Sequence, residues 1–318
     1  MMQFPCRIRG TTVKSKSQAF SSRENPLFSM PWTSVFKFEP GAIPLLPIRL
    51  ALLCCLAFVF LTPTSGWAEE GSGPSQREES DRATAHGSAG TIRALMVTGG
   101  CCHDYQNQKQ LISEGLSERV GPIEWTILQY GTGRDIKAEV YKKGDWIRDF
   151  DIVIHNECFG GVEDGEFVRG IVKAHTDHKI PAIVIHCSMH SYRNAPTADT
   201  WRAFLGVTSR RHEKKKRPLV VEATDAGKSD PILASMGETW QTPNGELYII
   251  EKVWPTTTVL AQVKSDETGK AEPVIWKNVI EGTPVFGISL GHHNETIQTD
   301  VWQDVVAAGW EWSLSKND

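Results

Sequence analysis

Past residue 68 this 318-residue chain has only four cysteines, Cys101, Cys102, Cys158 and Cys187, and no CxxC pair. That rules out a zinc ribbon and a thioredoxin-like redox motif, and so few cysteines do not make a disulfide scaffold. There is no internal repeat, no GxGxxG and no GxxxxGK[ST], so a nucleotide-binding loop is not expected. The apolar run Leu50–Leu61 is twelve residues long, well short of the ~20 that a spanning helix needs. Basic charge is also scarce. After residue 68, 27 Lys and Arg stand against 36 Asp and Glu, a balance of −9, which excludes nucleic acid as a main partner.

What is present begins with a leader. Residues 1–68 hold seven basic and two acidic residues. The run Leu50–Leu61 follows Arg49, and small residues stand at Gly66 and Ala68. This pattern is that of a signal peptide cleaved after Ala68, with Met30 an alternative start; the plainer alternative is an uncleaved N-terminal anchor. The expectation is export, to the periplasm or outside the cell, with no membrane span left after cleavage. The four remaining cysteines allow three full pairings, and an adjacent Cys101–Cys102 bridge requires strain. Residues 69–90 are Gly, Ser and charged residues with almost nothing apolar, a disordered linker. Residues 91–318 then form one domain, large enough for a core of its own.

Within that domain, buried strands are expected at 92–98, 123–130, 151–155 and 180–187, alternating with helices at 105–119 and 166–175. That alternation implies βαβ units and a parallel sheet covered on both faces. The C-terminal third reads differently. Short strands at 219–223, 246–251, 257–263, 274–276 and 285–290 include antiparallel ones, and a helix over 301–314 closes the chain.

Ligands of an open parallel sheet bind beyond the carboxyl ends of its strands. Four such ends carry Gly99–Asp104, His155–Cys158, His186–His190 and Gly291–Glu295, and six of the ten histidines lie there. That clustering implies a polar pocket. Each residue also has a bland explanation. Asp104 can simply cap the helix it precedes, and His155 and His186, ending buried strands, can be satisfied core histidines. His190, His292 and His293 lie past the strand ends and are better placed for a ligand. Gly99-Gly100 can cradle an anion. The basic run Arg210–Arg217 reads by default as a solvated loop.

The segments LMVTGGCCHDYQNQKQLISEGL, IVIHNE, IPAIVIHCSMHSYR, GELYIIEKVWPTTTVLA and the closing PVIWKNVIEGTPVFGISLGHHNETIQTDVWQDVVAAGWEW resemble, in order, the ThuA-like (trehalose-utilisation) family. The resemblance covers about 92–312. It implies a flavodoxin-like three-layer α/β sandwich related to class I glutamine amidotransferases, and a role in trehalose or keto-sugar catabolism. The chain departs from the family at Ile280–Val285, a hairpin turn where GKGRV is usual, and in the additional His293.

Three chemistries fit these residues. In the first, Cys187 is a nucleophile, completed by His293 and Glu295 in the amidotransferase manner. The bulky Ile185 and Met189 beside it oppose the sharp elbow that this needs. In the second, His103, His190 and His292 act with Glu157 or Glu246 in acid/base chemistry on a small carbohydrate. Asp104, Glu246 and His293 then bind the substrate, and Tyr248 and Trp254 stack on the sugar ring. A divalent cation, Zn or Mn, is a suitable Lewis acid. His155 and His292 head its ligand set, with His103 and His190 also suitable. In the third, the same groups only bind the sugar, as an accessory module. The oligomeric state stays open, a homodimer included.

Overall fold

The computed structural model describes residues 90–315; the expected leader and nearly all of the linker lie outside them. The first half of the described chain contains β1 (Ile92–Gly100), α1 (Tyr105–Val120), β2 (Ile123–Gln129), β3 (Ile152–Cys158), α2 (Gly165–His178), β4 (Ala182–Ile185) and α3 (Ala198–Leu205). The second half adds β5 (Val207–His212), β6 (Val220–Ala223), α4 (Asp225–Lys228), β7 (Thr239–Gln241), β8 (Tyr248–Val253), β9 (Thr257–Lys264), β10 (Ala271–Ile280), β11 (Thr283–Ile288), α5 (Asn294–Ile297) and α6 (Asp300–Ser315).

Nine strands form one sheet in the order β2-β1-β3-β4-β11-β10-β9-β6-β7. The β1–β2, β1–β3, β3–β4 and β4–β11 pairs are parallel, whereas β11–β10, β10–β9, β9–β6 and β6–β7 are antiparallel. The side-chain period of two explains why the central strands read as unbroken apolar runs. Ala94, Met96, Ile152, Ile154, Ile183 and Ile185 face one side, where Ile112 and Leu116 of α1 and Trp302, Val306 and Trp310 of α6 cover them. Their neighbours Leu95, Val97, Val153, Ala182 and Val184 face the other, under Val168 and Ile171 of α2 and Trp201 and Phe204 of α3. This is the expected three-layer sandwich, with antiparallel additions at its C-terminal side.

The hairpin turn falls at Glu281-Gly282, both at positive φ (50° and 77°), between β10 and β11, as a two-residue turn matching the strand twist requires. Two of the unexpected features bear on the site. The basic segment at 207–212 is a strand, β5, paired with β8 in a separate two-stranded sheet. And β3 continues three residues beyond His155, burying Asn156 and Glu157. A polar residue in an apolar run looks like a strand end. Here partners come from distant segments: the Tyr192 hydroxyl donates to Glu157 Oε1 at 3.1 Å and Asn156 Nδ2 donates to Thr98 Oγ1 at 3.3 Å. Among the described residues, no helix is long and apolar enough to cross a membrane.

Candidate functional site

The carboxyl ends of β1, β4 and β11 converge on one pocket. At the first end, Gly99 and Gly100 have φ of 123° and 95°, and a side chain on either would run into the carbonyl of Tyr130 or Cys158. Gly100 N–H donates to Gly131 O at 2.8 Å. The glycines are therefore needed for close backbone approach, and the anion cradle expected there is not formed by that N–H. The chain then turns to place His103. At the second end, His186 follows β4 with φ of 41°, a conformation rare for a residue with a side chain. It starts a 3-10 turn, His186–His190. At the third, Gly291 precedes His292 and His293. The fourth contribution comes from the antiparallel region, where Glu246, just before β8, reaches back to the strand ends.

His103, His186, His292 and Glu246 each offer one donor atom, all within 4.8 Å of one another. Glu246 Oε2 lies 3.5 Å from His186 Nε2, and Oε1 lies 3.5 Å from His292 Nε2. The outer nitrogens set the tautomers. His186 Nδ1–H donates to Ser289 O at 2.6 Å. His103 Nδ1 lies 3.1 Å from the Tyr105 hydroxyl, which itself donates to Cys101 O at 3.3 Å, so His103 Nδ1–H is the donor of that pair. Both histidines then turn Nε2 inward. His103 Nε2, His186 Nε2 and both nitrogens of His292 are buried without a hydrogen-bond partner. Buried polar atoms are nearly always satisfied, and three such imidazoles meeting at one carboxylate are unusual.

Protonation favours the same picture. Burial, with the charges of His186 and His292 beside it, lowers His103 to about 2. Burial and His186 lower His292 to about 4. Burial pushes the Glu246 carboxyl up, but its contacts with His186, His292 and His212 outweigh this and hold it at about 2. At neutral pH His103 and His292 are neutral imidazoles and Glu246 is a carboxylate, the form in which such groups ligate a cation.

The other expected residues divide. His190 lines the same pocket; its ring stacks parallel on Tyr248 at 4.1 Å, and Nε2 meets Ser209 Oγ at 3.2 Å. His293 adjoins His292, ring to ring at 4.4 Å. His155 does not join them. It is fully buried, with Nδ1 3.1 Å from Glu157 Oε1 and Nε2 3.1 Å from His175 Nε2, so it is a core histidine rather than a member of the cluster. Glu157 is likewise committed to the interior, held by the hydroxyls of Tyr141 and Tyr192. Asp104 caps α1, accepting from Asn107 N–H, and also accepts from Asn294 Nδ2 at 2.8 Å. Trp254 donates to Thr208 Oγ1 at 3.2 Å, carries Lys252 over its ring, and is not among the pocket residues.

Cys187 pairs with Cys158, and Cys101 with Cys102. All four line the pocket beside His103. A disulfide sulfur is not the thiolate that nucleophilic attack needs, and the strained turn position is taken by His186, not Cys187. Sequence reasoning put His155 in the ligand set and left His186 out, although both end buried strands. Only the backbone turn distinguishes them.

A model of the ThuA family, described as trehalose utilisation, matches residues 93–313. The chain belongs to the ThuA family. Two solved ThuA-like proteins share the fold. The one from Parabacteroides merdae has a TM-score of 0.54 at 16% identity over 71% of this chain and 91% of its own. The one from Bacteroides uniformis has a TM-score of 0.53 at 14% identity over 71% of this chain and 93% of its own. No curated protein matches the chain. Family membership suggests a role in trehalose utilisation for this ThuA-like chain, and the likeness to the solved structures extends to the fold alone.

Proposed function

We propose that His103, His186, His292 and Glu246 hold a divalent cation, zinc or manganese, and that the pocket carries out metal-assisted acid/base chemistry on a carbohydrate. The observation that carries this reading is the set of buried, unpartnered imidazole nitrogens facing one carboxylate. Three histidines and a carboxylate suit both metals, and the hydrogen bonds from His186 to Ser289 O and from His103 to Tyr105 fix the outer nitrogens as such sites require. A cation bound there supplies Lewis-acid polarisation of a sugar carbonyl or hydroxyl.

The chain's own residues do the rest. Glu246 supplies the compensating charge. His190, neutral because burial and nearby charges lower it to about 3, presents its ring with Tyr248 as one flat wall of the pocket, and serves as a hydrogen-bonding surface rather than a base. His293, which adjoins His292 without itself lining the pocket and is shifted down chiefly by burial, is neutral at pH 7 and able to accept a proton from a substrate carbon or hydroxyl. The cavity of about 490 Å3 falls within the range of small-molecule sites. Export to the periplasm or beyond belongs to the same reading, supported by the apolar run and small residues before residue 69.

Elemental analysis of the purified protein tests the cation: about one equivalent of zinc or manganese is expected, and none after His186→Ala. Incubation with trehalose and with a 3-keto-glycoside, followed by NMR, tests turnover. A loaded protein that binds sugar but leaves both compounds unchanged would point to an accessory binding module instead.

A further inference from the structure

The part of the chain after residue 68 is strongly acidic, yet the pocket is not. Its lining holds six cationic side chains, Arg134, Arg193, Arg210, Arg211, Lys214 and Lys216, and one carboxylate, Glu246. We propose that the saccharide taken by this pocket is anionic, bearing a carboxylate, sulfate or phosphate that the arginines at its mouth recognise. The inference rests on the pocket being the substrate site, as argued above, and adds the substrate's charge class.

The cationic rim is assembled rather than incidental. Arg134 comes from the loop after β2, Arg193 from the turn before α3, and the remaining four from β5 and the loop that follows it. Three separated segments therefore bring like charges together, which costs repulsion unless an anion offsets it. Some of these groups have local partners: Arg210 lies 3.4 Å from Glu251, Arg211 3.0 Å from Glu267, and Lys216 3.7 Å from Glu246. Among the described residues, no carboxylate comes within 4.0 Å of the side-chain nitrogens of Arg134 or Arg193.

Arg193 also has space made for it. A Cβ on Gly160 would stand 3.1 Å from Arg193 Nε and 2.8 Å from His190 O, so this glycine leaves the space in which the guanidinium lies against the end of β3. Its charge reaches inward, contributing to the lowered pKa of His190. Arg193 and Arg210 further line an adjoining cavity of about 510 Å3. They stand between two spaces that an oligosaccharide could thread. Arginine suits this task because its planar fork meets carboxylate, sulfate and phosphate oxygens two at a time.

The test uses the full-length protein and four matched probes: glucose, glucuronate, glucose 6-sulfate and glucose 6-phosphate. Calorimetry at low salt is expected to show at least one charged probe binding roughly tenfold more tightly than glucose. Which one does so separates a uronate from an ester-bearing sugar. The preference should fall to less than about threefold in Arg134→Ala/Arg193→Ala and in 0.5 M salt, where exposed charges are screened. Equal binding of all four probes, no saturable binding of any charged one, or a preference that survives the double substitution would each overturn the proposal. Metal content, measured on the same samples, keeps the two readings apart. A retained cation with no anion preference overturns only the substrate class, while anion preference without a cation overturns only the metal.

Discussion

His292→Ala offers a direct test of the cation site, because the cost of the substitution differs between the free and the loaded protein. Neither His292 nitrogen has a hydrogen-bond partner, so in the cation-free protein the substitution removes packing and the 3.5 Å contact with Glu246, and the melting temperature should stay within about 4 °C, for a loss near ~1 kcal/mol. The loaded wild type behaves differently. A ligand that binds only the folded state stabilises it by about 2.7 kcal/mol at a free concentration of 100 times Kd. For a domain of this size, each kcal/mol shifts the melting temperature by roughly 2–4 °C. Adding saturating zinc or manganese to chelator-treated wild type should thus raise the transition by about 5–11 °C. His292→Ala removes one of four ligands and should lose most of that increment. Differential scanning calorimetry with and without cation measures both quantities. An unchanged increment in His292→Ala places the cation elsewhere, and no increment in the wild type with either metal refutes the reading of the cluster.

Three further outcomes are expected. His175 is buried and neutral, its pKa lowered to about 3 by burial and by neighbouring His155, against ~6.5 when unfolded. Between those values the unfolded chain binds the extra proton, so stability is fully present above about pH 6.5 and is lost as pH falls toward 3. Urea titrations at pH 4 to 6 should show His175→Leu with a slope shallower by about 1.4 kcal/mol per pH unit; an unchanged slope would mean His175 does not contribute. His155→Ala should lower stability by about 2–5 kcal/mol, by leaving His175 Nε2 unpaired and removing one of the three groups that meet Glu157 Oε1, while leaving metal content intact; loss of the metal would return His155 to the ligand set. Peptide mapping without reduction should recover Cys101–Cys102 and Cys158–Cys187 bridges, and a Cys101–Cys158 bridge would contradict the arrangement at the pocket wall.

The layered architecture was legible in the chain because its signal is local. Buried parallel strands such as ALMV at 94–97 must be apolar on both faces, and the helices between them carry their own caps, as Asp104 and Asp164 do. The clustering of histidines at strand ends was equally legible, since topology sends those ends to one side of the sheet. His103 and His292 were picked out on that basis, and Glu246 as one of two carboxylates, with Glu157, suited to acid/base chemistry.

What the sequence by itself determined, then, is the fold class, the side of the sheet that bears the site and two of the four clustered groups, with Glu246 offered beside Glu157. Only the tertiary structure decided the rest. His155 and His186 occupy equivalent places in the sequence pattern, but the chain runs straight on through Glu157 after one and turns at positive φ after the other, sending one imidazole into the core and the other into the pocket. The start of the basic run, a solvated loop by composition, pairs with β8 through Arg211 and His212, and the run joins Arg134 and Arg193 at the pocket mouth. Choosing a cysteine pairing likewise required the ends of β1, β3 and β4 side by side. All of these depend on contacts between residues far apart in the chain, and local pattern carries no information about which distant partner satisfies a buried charge or an unpaired nitrogen.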